Sequence, residues 1–252
     1  MTKAQHFEWL LSLADDALIL GQRLSEWCGH APALEEDIAL SNVALDLIGQ
    51  SRAILTHAGL LEGEGRDEDR LAFFRSDREY RNLLLVELPN GHFGDTIARQ
   101  FFFDQFAMIR YGHLAQQTFD LEIAAIATKA LKEVRYHAAH SAEWMIRLGD
   151  GTDLSKIRIQ ESVDRLWPYI GECFEAHPIL DAAITSGAMP DCKSIELTWK
   201  ERVSAVLAEA TLILPTDDWK QVGGRNGLHT EHLSYLLAEM QAVPRLHPDA
   251  KW

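Results

Sequence analysis

Apolar positions along the chain recur at three- and four-residue steps, the period of a helix face, and strict two-residue alternation is absent. Leu10, Leu13, Ala14, Ala17, Leu20, Leu24, Trp27 and Cys28 form one such stripe, predicting a first helix over about residues 5–28 that Gly29 stops. Pro32 predicts the opening of a second, because a proline there removes an N–H that has no helical partner anyway. Glu35, Glu36 and Asp37 then place negative charge on its first turn. The second helix is predicted to reach about Ala58. It is apolar on more than one side, yet carries Asn42, Asp46 and Gln50 at four-residue spacing. A short link between two such helices implies antiparallel neighbours.

Residues 61–77, LEGEGRDEDRLAFFRSD, are acidic and glycine-containing, so an exposed connection is expected. Pro89-Asn90-Gly91 reads as a turn, and Asp95 as the N-cap of a third long helix reaching about Thr118. So long a connection suits the single crossover of a ferritin-like bundle. The third helix, with Phe101, Phe102, Phe103, Phe106, Ile109 and Leu114, is apolar nearly all round. Asp104 lies inside that run and must find a partner if buried. Asp120 is the expected cap of a fourth helix ending at Gly149, with the stripe Ile126, Ala130, Glu133, His137, His140 or Ser141, Trp144. Helical segments follow over about 153–175, interrupted by Pro168, then 192–214, then 230–242 behind the glycine loop 223–227. The expectation is an all-α, ferritin-like four-helix bundle in a single domain, 1–252, with its core over about 5–149 and a helical extension over 152–252.

Charge removes several function classes. The chain has 38 acidic and 24 basic residues, a formal net charge of −14, and no basic run, so nucleic acid and anionic membrane are poor partners. No apolar run approaches the roughly 18–20 residues that span a bilayer. The acids following the first short apolar run do not fit a signal peptide. Cys28, Cys173 and Cys192 are scattered, which suits buried free thiols in the cytoplasm.

The fourth helix carries the candidate chemistry. In Lys129–His140, KALKEVRYHAAH, Glu133, His137 and His140 share a face. A bundle di-iron site needs a Glu from each of two helices and a Glu-x-x-His from each of the others. None of the 11 histidines has an acid three residues before it. Before His137 that position is Val134, and Glu133 stands one residue off the step. Two readings stand side by side: a degenerate metal site of Asp46, Asp104, Glu133 and His137, or a buried polar network in which Arg23, Arg52, Arg99, Lys132 or Arg135 neutralises those acids. His229 and His232, three apart with Glu231 between them, offer a weaker metal or anion site at a helix start. The glycine loop lacks the Gly-Lys-Ser/Thr or GxGxxG of a phosphate site, and no nucleophile elbow is present. An acyl-CoA module would need a basic groove, to which Arg225 alone points.

The runs QRLSEWCGHAPALEEDIALSNVALDLIGQ (22–50), NLLLVELPNGHFGDTIARQ (82–100), KEVRYH (132–137) and GLHTEHL (227–233) resemble the C-subunit family of bacterial phenylacetyl-CoA epoxidases, the ring-1,2-phenylacetyl-CoA monooxygenases. The resemblance covers nearly the whole chain. It implies a ferritin-like, non-catalytic structural subunit in phenylacetate degradation. Such a protein pairs with the catalytic A-type subunit, which holds the di-iron centre and binds the CoA thioester, while a reductase supplies electrons. It implies no catalytic residue, cofactor or metal in this chain, leaving Asp46, Asp104, Glu133 and His137 as a vestigial polar interior. The alternative is a self-sufficient metal-dependent oxygenase built on those four residues. The segment 81–93 and the exposed C-terminal third are the expected interface.

Overall fold

The computed structural model describes residues 1–117 and 119–250. The described residues are helical or irregular, without a strand, and the fold is all-α. Met1–Pro89 with Gly223–Trp252 make one compact unit, and Asn90–Val222 make a second. The last stretch of chain thus groups with the N-terminal helices.

In the first unit, α1 spans Lys3–Ser25, opened by a capping box in which Thr2 and Gln5 satisfy each other's backbone N–H groups. It ends three residues short of Cys28, in a turn where Trp27 N donates to Leu24 O. From Trp9 to Gly21 every residue of α1 is buried, including Ser12, Asp15 and Asp16. The partner helix α2, Leu34–Glu62, packs along α1 and outruns the predicted Ala58, stopping at Gly63 in the left-handed conformation. The acidic connection is exposed at residues 63–65, 67, 69 and 70, as expected, but it is not a loop throughout. It forms α3, Glu68–Phe73, capped by Asp67, and buries Leu71 and Ala72 against α2. Further on, α4, Leu84–Glu87, lies in a stretch buried from Asn82 to Leu88. Those residues are core, which withdraws most of 81–93 as an interface. The returning chain supplies α10, Glu231–Met240, and α11, Ala242–Leu246.

The second unit is centred on α5, Phe93–Leu114, which contacts α6 (Leu121–Gly149), α7 (Asp153–Leu166) and α9 (Cys192–Glu209). Its cap is His92, not Asp95. His92 Nδ1 accepts from Asp95 N at 3.3 Å while Asp95 Oδ2 accepts from His92 N at 3.0 Å, so Asp95 is the reciprocating third residue. Thr118, the predicted end of this helix, lies outside the described residues. Helix α6, Leu121–Gly149, is capped by Asp120 as predicted. Then come α7, Asp153–Leu166, two 3-10 turns at Trp167–Tyr169 and Gly171–Phe174, α8, Pro178–Thr185, and α9, Cys192–Glu209. Trp199 of α9 is fully buried and donates its indole N–H to Phe102 O at 3.0 Å. Among the described residues no helix is long and apolar enough to cross a membrane. The three cysteines are free thiols, but only Cys173 is buried; Cys28 is exposed.

Candidate functional site

Helix α6 turns Ala130, His137 and Ser141 of the predicted stripe inward, but leaves Ile126, Glu133, His140 and Trp144 at its margin. Its buried residues are Ile123, Ala127, Ala130, Val134, His137, Ala138, Ser141 and Met145. Val134 and His137 share the core face because three residues advance a helix by nearly one turn. Glu133, one residue behind, is rotated to the margin. It is half-buried, with Lys129 Nζ at 3.9 Å. His140 is also marginal and stacks on the exposed Tyr136. In the first unit, Asp46 on α2 is likewise half-buried. Of the four candidate residues, only Asp104 and His137 are inside, on the packed pair α5 and α6.

Asp104 is 1% exposed, and its partners are neutral. Oδ1 accepts from Gln100 Nε2 at 2.7 Å, and Oδ2 lies 2.8 Å from Ser141 Oγ. None of the arginines or lysines proposed as neutralisers from sequence takes part in these two bonds. Burial therefore dominates, and it pushes the Asp104 carboxyl up to about 8 against the pull of its two hydrogen bonds. At neutral pH the carboxyl keeps its proton. Ser141 Oγ has a single proton and also lies 2.9 Å from the His137 carbonyl. Ser141 Oγ thus bridges Asp104 Oδ2 and the His137 carbonyl, a short link from α5 to α6.

These donors do not fit two irons. Asp104 is a neutral carboxyl already shared between an amide and a hydroxyl, and a ligand must first lose its proton. Val134 occupies the place where the Glu-x-x-His step puts its carboxylate, so α6 offers an imidazole there but not the acid of that step.

The fully buried acids that pair with arginines lie in the first unit. Asp15 and Asp16 stand next to each other on α1, both fully buried. Arg75 forms a two-pronged pair with Asp15, one prong of 2.9 Å, and Arg225 does the same with Asp16 at 2.9 and 2.8 Å. The backbone N–H groups of Arg81 and Leu83 add further bonds to the two carboxylates. Arg225 is thus spent inside the fold and supplies no basic groove. Glu87, also fully buried, accepts from Asn82 Nδ2 at 2.8 Å and from Thr230 N at 2.6 Å, and its Oε2 lies 2.7 Å from His229 Nδ1. His229 Nε2 lies 3.2 Å from Tyr80 O. Both ring nitrogens of His229 are occupied, so it is a structural clamp, not one of a pair of metal ligands with His232.

The glycine loop lets this clamp close. A Cβ on Gly224 would fall 2.1 Å from Asn82 O, and Gly227, at φ +70°, would place one 2.4 Å from Arg78 O. The loop can press its backbone onto Arg78–Asn82 only without side chains at those two positions. Sequence carried one signal of this: three glycines around an arginine beside an acid-rich chain.

A family model described as phenylacetic acid catabolic protein matches residues 1–252. The chain is also similar to the 1,2-phenylacetyl-CoA epoxidase C subunit of Escherichia coli (strain K12). The two are 47% identical over 244 residues, covering 97% of this chain and 98% of that protein.

Proposed function

The chain belongs to the phenylacetic acid catabolic protein family, with its all-α, ferritin-like fold, and on that premise we propose that it is a non-catalytic structural subunit of a multicomponent phenylacetyl-CoA epoxidase. In this reading it pairs with and stabilises the catalytic A-type subunit, works in the cytoplasm, and leaves the two irons to that partner and electron delivery to a reductase. The observation that carries the reading is the chemistry of the Asp104 niche. A proton-bearing carboxyl satisfied by Gln100 and Ser141, facing a helix with Val134 at the ligand step, suits packing rather than metal binding.

The test compares the purified chain with the co-expressed complex. The lone chain should hold no stoichiometric iron and show no oxygenase turnover, while co-expression with the catalytic subunit should yield a stable complex. The rival, a self-sufficient oxygenase using Asp46, Asp104, Glu133 and His137, makes the opposite forecast. On the subunit reading, Glu133→Ala and His137→Ala leave the iron content and turnover of the complex in place, apart from any loss through unfolding. Stoichiometric iron and turnover in the lone chain, both lost in these variants, would establish the rival instead.

A further inference from the structure

We propose that the groove formed by α5, α6 and α9 receives an amphipathic helix of the catalytic partner, with carboxylates on that helix meeting Arg135 and Arg202. The proposal rests on the structural-subunit reading and specifies where and how the partner docks.

The groove has a volume of about 580 Å³ and a floor of small or slender side chains, chiefly Ala138, Ala139 and Ala142 of α6 and Val206 of α9. Small side chains let a further helix approach closely, since the distance between packed helices is set by what stands between them. Arg135 projects from α6 and Arg202 from α9, both exposed. Arg202 is steered by neutral groups: Nε donates to the buried Gln105 Oε1 at 2.9 Å, and one terminal nitrogen lies 3.6 Å from the Met108 sulfur. Among the described residues neither guanidinium has a carboxylate partner. Elsewhere in the same unit, Lys129, Arg147, Arg165, Lys200 and Lys220 each stand within ion-pair reach of an acid. In a chain with 14 more acids than bases, two arginines left without acids over an apolar floor make a local reversal of sign. Lys132, also exposed and one turn before Arg135, extends it. A helix with an apolar side and an acidic edge complements both the floor and the walls.

The experiment measures, at low and moderate salt, the affinity of the full-length chain for its purified catalytic partner. The double variant R135E/R202E should bind roughly thirtyfold more weakly at low salt and lose most of the salt dependence. R135K/R202K, which keeps the charge, should stay much closer to wild type. Ala139→Trp fills the groove without changing charge and should also weaken binding. Arg135 and Ala139 are exposed, and Arg202 spends one hydrogen bond on Gln105, so thermal unfolding is measured beside binding for every variant; if the glutamates disturb folding, R135A/R202A takes their place. Wild-type affinity and salt dependence in the double variant would overturn the proposal. So would wild-type binding by Ala139→Trp, because the arginines would then steer association without the groove being filled. If the wild-type chain itself does not bind the catalytic partner, the structural-subunit reading fails and the groove proposal with it.

Discussion

At Asp104 a single side chain converts burial into a pH dependence with a definite sign. An aspartate in the unfolded chain titrates near about 4, whereas folding raises this one to about 8. Below the lower value both states are protonated, and the residue contributes nothing to the pH dependence. Between the two values the unfolded state loses its proton while the folded state keeps it, so stability falls as pH rises. Above about 8 both are ionised and the penalty is constant. Asp104→Asn preserves the shape and removes the titration. Urea unfolding across pH 4–8 should therefore show a flatter profile for the variant, with its largest gain over wild type at the alkaline end. A parallel pair of profiles would show that Asp104 titrates alike in both states. None of this was legible in the residue itself. The sequence placed an acid in an apolar run and demanded a partner. That the partners would be an amide and a hydroxyl, so that the acid stays neutral, depends on which residues α6 turns toward α5.

Helices carry their own start and stop instructions, and those were mostly readable. Asp120 caps α6 as predicted, and the three-residue gap from Val134 to His137 identifies a shared face before any tertiary contact is known. The boundaries that moved did so for local reasons, as where His92 took the cap that Asp95 completes from the third position. The face turned inward by α6 was harder, because steps of three and four both trace helical stripes about one residue apart. Apart from the pairing of α1 with α2, which the short link implied, contacts between elements were not readable. Gly149 looked like a stop signal, but it also permits close approach: a Cβ there would sit 2.2 Å from Ala210 O. Gly149→Ala should destabilise by about 1–3 kcal/mol. Gly112→Ala, in α5 with nothing within 4 Å of the added carbon, should be neutral or stabilising by about 0.5–1 kcal/mol. Chemical denaturation of both variants checks the contrast, and a Gly149→Ala variant as stable as Gly112→Ala would show that the contact with Ala210 sets no cost at Gly149.

Over the whole molecule, pairs far apart in sequence hold the interior together. Asp16 and Arg225 are separated by 209 positions, and their bond fastens the returning chain to the first helix. Arg225→Met leaves Asp16 buried without its counter-charge and should cost about 3–5 kcal/mol. Adding Asp16→Asn should restore part of that loss, because the stranded charge goes with it. If the double variant is as unstable as the sum of the singles, the two residues are not coupled. The sequence by itself determined the all-α class, the long helices and the absence of any Glu-x-x-His step. Those properties depend on spacing within about one helical turn, and the helix geometry converts spacing into direction. Only the tertiary structure decided that Asp15 and Asp16 meet Arg75 and Arg225, that Asp104 is desolvated beside neutral partners, and that among the described residues Arg135 and Arg202 are left without acids. Charge pairing and desolvation depend on neighbours in space, and a chain of 24 bases and 38 acids permits far more pairings than spacing can choose among.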